Sequence, residues 1–257
     1  MWACTAALTG ACAAIDSQFQ SEGFQDTRFG FRVAYADPSA RGLMGPDWLL
    51  DNFVFNDDGT PREEKGGETY LTRWSFDVDG DGEMDAERDL KIYELRFVHR
   101  RDGGVLWLRT IPVADRFAQS DLRLLAHDYV EEVAGGDYYA VRFAGRDLVE
   151  DVRFATTIID ESERMVGEFP AYLVTFDVAN VDQLRLDPNS RTARVRLVLI
   201  RPPYRTRVSV GRDSHDYATL VAVGYSNVPE YFDAHAGEFE DFLRRLDLVT
   251  GAGGVTP

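Results

Sequence analysis

Apolar side chains return at every second position through FGFRVAY, where Phe29, Phe31, Val33 and Tyr35 alternate with smaller or polar residues. A period of two places alternate side chains on one face, so this segment reads as the first strand, ended by Asp37-Pro38. Residues 48–55 are apolar enough for a strand or a short packed turn, and NDDGTPREEKGG behind them supplies turn chemistry. Strand signals follow at 70–76 and 90–99, then a turn over 101–104 with its hairpin partner over 105–111. The period lengthens over 121–133, where Leu122, Leu125, Ala126, Tyr129 and Val133 fall on one helical stripe. Ser120 is placed to cap that helix and Gly135-Gly136 stops it. Strands are then predicted near 138–143, 152–159, 171–178, 193–200, 205–210 and 217–225. The last is apolar on both faces, which marks a central strand covered on both sides. A second helix opens near Pro229, after Ser226 or Asn227, and carries Phe232, Phe239, Phe242, Leu243 and Leu246 along its buried side.

Strands, a helix, many strands and a helix is not the strict alternation of a parallel α/β sheet. The pattern predicts an α+β fold, a mainly antiparallel sheet packed by two main helices. We place one domain over 27–249, with 42–89 as an insertion, a signal remnant and tether over 1–26, and a flexible tail, GAGGVTP after Thr250, over 250–257.

Composition narrows the partners. Acidic residues outnumber basic ones 44 to 28, and the net charge of -16 repels phosphate backbones and anionic headgroups, so nucleic acid is not an expected ligand. The two cysteines, Cys4 and Cys12, both lie in the first dozen residues, so no disulfide ties the body of the fold together. From Trp2 to Ile15 the chain is almost all small or apolar, then turns polar at Asp16. In LTGAC, Gly10 and Ala11 precede Cys12 as they do at the end of a bacterial lipoprotein signal, where the cysteine is cleaved and acylated. Leu8 stands one residue too far from Cys12 for that pattern, and no basic region precedes the apolar run. The expectation is a lipid anchor on Cys12, with the membrane touched only through it, and a location in the cell envelope; a cytosolic adaptor follows if Cys12 is never processed.

The densest chemistry lies in DVDGDGEMD. Asp77, Asp79, Asp81 and Asp85 stand at positions 1, 3, 5 and 9 of a calcium loop, Glu83 at position 7, and Gly82 at the turn position 6. A hard cation needs several oxygens around one point, and carboxylates this close repel one another without it. Position 12 is Arg88 instead of a bidentate glutamate, and a strand precedes the loop, so the helix-loop-helix form is not expected. Glu87 or Asp89 could add an oxygen. We therefore expect one structural Ca2+ that staples the insertion, bound at about 10⁻⁴ to 10⁻³ M as in extracellular modules.

Elsewhere catalytic patterns are thin. His99, His127, His215 and His235 show no zinc-ligand spacing. His215 in GRDSHDY has Asp213, Ser214 and Asp216 beside it, but no nucleophile elbow, and reads as a solvated turn. His127 reads as a boundary residue of the first helix. Glu150-Asp151 and the acidic group over 160–163 could be drawn as paired carboxylates, yet such clusters between strands are usually solvated turns. Phosphate-loop and dinucleotide fingerprints are absent.

The closing segment, with LVAVGYS followed by VPEYFDAHAGEFEDFLRRLDL, resembles the end of the PsbP-like fold, shared by a photosystem II extrinsic subunit, a Ran-binding import factor and many bacterial lipoproteins. GFRVAYADPS resembles that family's opening strand, and IPVADRFAQSDLRLLAHDYVEEV its first long helix. The resemblance implies an α/β/α sandwich and a binding or assembly role without catalytic residues, for a protein or other envelope component. The alternative is a calcium-stabilised secreted hydrolase, whose catalytic groups would have to converge from separate elements.

Overall fold

The computed structural model of the chain describes residues 17–19, 21–26, 30–50, 70–76, 86–92, 94–113, 119–135, 154–180, 192–210 and 213–248. Near the N-terminus, β1 (Ser17–Phe19), β2 (Gly23–Asp26) and β3 (Phe31–Ala34) pair in sequence, and β14 (Leu246–Leu248) closes this four-stranded sheet against β3. Among the described residues the main sheet has eight strands. It contains β4 (Trp48–Leu50), β7 (Glu94–His99), β8 (Val105–Val113), β9 (Phe154–Val166), β10 (Phe169–Asn180), β11 (Ala193–Ile200), β12 (Arg205–Val210) and β13 (Asp213–Asn227). Its order is β4-β7-β8-β13-β11-β10-β9, with β12 also on β13, and every pairing is antiparallel. A separate hairpin joins β5 (Tyr70–Phe76) to β6 (Ala86–Ile92).

Alternation along the central strands builds two cores. On one face Leu106 and Leu108 of β8, Val198 and Ile200 of β11, and Val221, Val223 and Tyr225 of β13 meet the C-terminal helix and the small sheet. On the other, Trp107, Leu197, Leu199, Leu220 and Ala222 meet Ala126, Tyr129 and Val130 of helix α1 (Leu122–Gly135). The architecture is thus α+β with helices on both faces, as the pattern predicts. β13 is apolar on both faces because both are covered.

On the α1 face one side chain lies directly against the backbone of its neighbouring strand. Trp107 is fully buried and sits opposite Gly224 in the β8–β13 ladder. A Cβ on Gly224 would stand 2.0 Å from the Trp107 ring, so only glycine lets the indole lie against that backbone.

Several local readings need correction: residues 17–19 and 23–26, placed in the tether, form β1 and β2 of the small sheet. Asp121, not Ser120, caps α1: its Oδ1 accepts the Arg123 N–H at 2.9 Å, while the Ser120 carbonyl is taken by the Arg201 guanidinium. The carboxylates over 160–163 lie within β9, not in a turn. They are tolerated there because β9 is, among the described residues, an edge strand, where charge also discourages pairing with another chain. The C-terminal helix is interrupted, running as α2 (Pro229–Phe232), a 3₁₀ turn (Asp233–His235) and α3 (Ala236–Arg245). Leu246, expected on that helix, begins β14 instead. Segments 51–69 and 136–153, which include the strand expected near 138–143, lie outside the described residues.

Gly224→Ala should destabilise the fold by about 1–3 kcal/mol through overpacking against Trp107. Urea unfolding measures it, and an unchanged midpoint would contradict the close approach.

Candidate functional site

The register of β8 on β13 brings together residues far apart in sequence. Val105 lies opposite Ser226, so the turn just before β8 sits beside the chain just after β13. That turn, Arg100 to Gly104, is closed by His99 N–H to the Gly104 carbonyl at 2.7 Å and Gly103 N–H to the His99 carbonyl at 3.0 Å. Gly103 has φ 74, a left-handed conformation that glycine adopts without strain. The turn holds Asp102 under His99, the last residue of β7. Beyond β13, the chain passes through α2 into the 3₁₀ turn that ends at His235, which leaves helical angles at φ -112, ψ 4 before α3 begins.

Asp102 lies between the two histidines. Its Oδ1 is 2.8 Å from His99 Nδ1 and accepts the Gly104 N–H at 2.9 Å, while Oδ2 is 2.7 Å from His235 Nε2. The other side of His235 meets a second carboxylate, with Nδ1 2.7 Å from Glu238 Oε2. That same oxygen accepts the Trp48 indole N–H at 3.1 Å. The rings pack as well as bond: the His99 and His235 centroids are 4.1 Å apart, and Trp48 lies 5.1 and 5.7 Å from them.

The scaffold fixes each member. Trp48 is paired with His99 across β4 and β7. Arg245 of α3 donates to the carbonyls of Ala34 and Leu43, both at 2.7 Å, and so ties the segment leading to Trp48 onto the helix that carries Glu238. Tyr225 donates to the Phe232 carbonyl at 3.1 Å, holding α2 on the end of β13; burial pushes its phenol pKa well up. A cleft of about 630 Å³ opens over the network, lined by Asp47, His99, Arg101, Asp102, Tyr231, Ala234, His235 and Glu238.

Protonation follows from the geometry. Burial opposes charge on Asp102, but the Gly104 N–H and the two imidazoles outweigh it and hold its pKa below the usual carboxylate range. An ionised Asp102 accepts only, so both histidines donate to it. His235 then faces a carboxylate on each nitrogen, which favours the doubly protonated ring. Burial disfavours that imidazolium, yet Asp102 and Glu238 overcome this and its pKa is raised.

Cys12 and the loop residues Asp77, Asp79, Asp81, Glu83 and Asp85 lie outside the described residues, as do Glu150 and Asp151. The strands that flank the loop are described, and Phe76 pairs with Ala86 across its base. His215 lies within β13 opposite Val208, in a strand and not in the expected turn. His127 Nε2 is 2.6 Å from Glu161 Oε2, joining α1 to β9. That bond, chiefly, lowers the Glu161 pKa. His99 and His235 escaped the sequence reading because 136 positions separate them; the local traces were the HRRDGG turn and the His-x-x-Glu spacing at 235–238.

No family model matches the sequence, and no curated protein matches it. Among solved structures, the chain is similar to the solution structure of cyanobacterial PsbP (CyanoP) from Synechocystis sp. PCC 6803. The two share 11% identity over 93% of this chain and 98% of that one, at a TM-score of 0.40. Among the described residues, no helix is long and apolar enough to cross a membrane.

Two outcomes follow for the network. Asp102→Asn should cost about 1.5–3 kcal/mol in urea unfolding, because hydrogen bonds to a charged acceptor are lost. The raised His235 pKa contributes stability that is full below about pH 6.5 and fades as pH climbs through the folded value; the lowered Asp102 pKa contributes above about pH 4 and fades on acidification. Wild type should therefore exceed His235→Gln most near about pH 5–6 and least near about pH 9. A pH-independent gap would refute the imidazolium.

Proposed function

We propose that the protein is a non-catalytic, calcium-binding lipoprotein of the cell envelope, held by a lipid on Cys12, and that it acts as a binding or assembly subunit for a protein or other envelope component. The cleft over His99, Asp102 and His235 is its recognition site. One observation carries the non-catalytic reading: the cleft's histidines and carboxylates are engaged with one another or with Arg101, and among the described residues that line it there is no serine, threonine or cysteine to act as a nucleophile. Calcium rests on the aspartate spacing over 77–85, and the anchor on the LTGAC run ending at Cys12.

A second reading, a calcium-stabilised secreted hydrolase, draws on a different aspect of the same cleft. It gathers titratable groups from the β7–β8 turn, the 3₁₀ turn and the first turn of α3, as active sites do. The readings separate on turnover. Ester, phosphate and glycoside substrates should be hydrolysed no faster by wild type than by Asp102→Asn; hydrolysis lost in that variant would replace the first reading by the second.

Calcium titration should release heat with wild type and none with Asp79→Ala, and equal heats would remove the ion from the account. Mass spectrometry of protein recovered from bacterial membranes should find acyl chains on Cys12, absent in Cys12→Ser. An unmodified Met1 on the membrane-recovered chain would remove the anchor.

A further inference from the structure

We propose that His99, Asp102 and His235 form a site for one borderline-soft divalent cation of the zinc class, separate from the calcium loop. The inference rests on reading the cleft as a ligand site and specifies what enters it. One ligand atom from each residue lies within 4.8 Å of the other two. Two imidazoles and a carboxylate are a zinc-type donor set; calcium and magnesium favour oxygen.

The spacing fits with a small adjustment. Donors on a tetrahedral ion with bonds of about 2.0–2.1 Å lie roughly 3.3 Å apart. His99 Nδ1 now sits 2.8 Å from Asp102 Oδ1 and His235 Nε2 2.7 Å from Oδ2, within a cluster whose ligand atoms span no more than 4.8 Å, so the side chains shift to bring both nitrogens and one carboxylate oxygen onto the ion as it replaces the two bridging protons. The ligand side chains are sheltered, at 6%, 11% and 13% exposure. They stand at the wall of the cleft, which leaves a fourth position for water or a group from a partner.

The surroundings match what such a site requires. His235 presents Nε2 to the ion while Nδ1–H donates to Glu238, the carboxylate–histidine arrangement that fixes ring and tautomer around a bound metal. Glu238 is itself fixed by Trp48 Nε1. Asp102 is fixed by Gly104 N–H, so its carboxylate is aimed before any ion arrives. Asp102 and Glu238 supply negative charge, and Asp47 at the rim is already engaged by Arg101 at 3.1 Å.

The test is titration of full-length, chelator-stripped protein with Zn2+, and with Co2+ as a spectroscopic stand-in. Wild type should take up one equivalent that the Asp79→Ala variant retains and His235→Ala and His99→Ala lose. Glu238→Gln, which keeps all three ligands, should bind about 10–100-fold more weakly. Four-coordinate visible bands of Co2+ should appear in wild type and be missing in Asp102→Asn, with circular dichroism showing that the variant is folded. Zinc uptake unchanged in folded His235→Ala, uptake lost in Asp79→Ala alone, or no uptake by folded wild type would each overturn the site. The binding-subunit reading fails on a different result, substrate turnover, so the two are judged separately.

Discussion

The arrangement depends on one strand that cannot be moved. β13 is hydrogen-bonded on both edges, to β8 on one side and to β11 and β12 on the other, and its alternating side chains fill both cores. A slip of one residue would exchange Val221, Val223 and Tyr225 with Leu220, Ala222 and Gly224 and would set a side chain where Trp107 needs bare backbone. Register is therefore fixed by sterics as well as by hydrophobicity, and everything attached to the strand inherits that precision.

The histidine cleft is the main beneficiary. Its two halves come from a hairpin turn and from the chain after β13, which meet only because Val105 faces Ser226. Buried charge is costly, and the molecule meets that cost locally: each carboxylate receives fixed donors, and His235 lies between two acceptors. Such an arrangement is rigid in the apolar direction, where Trp48 and Tyr225 wall it in, and open on the side of the cleft. A preorganised polar cluster beside an opening suits capture of a ligand that brings positive charge or displaces protons.

Two different kinds of metal chemistry divide the chain between them in this reading. The 77–85 loop carries oxygen donors packed by sequence adjacency, which suits a hard ion and requires little from the rest of the fold. The cleft carries nitrogen donors assembled by topology, which suits a softer one and requires the whole sheet.

The sequence by itself determined the class and many of the elements, but not β1 and β2, which it placed in a tether. β11 and β12 fall on 193–200 and 205–210 as the alternation places them, and β13 is covered on both sides as its apolar run requires, because side-chain periodicity is a local property that burial enforces. The aspartates of 77–85 are neighbours in the chain, so their spacing is legible in the sequence, but they lie outside the described residues. What only the tertiary structure decided was the pairing of His99 with His235, the break in the C-terminal helix that sets His235 as the residue before α3, and the place of the 160–163 carboxylates within an edge strand. Each depends on which strands lie side by side and in what register. Long-range pairing of that kind leaves no periodic trace in a single chain, so two histidines 136 positions apart become neighbours only when the sheet is complete.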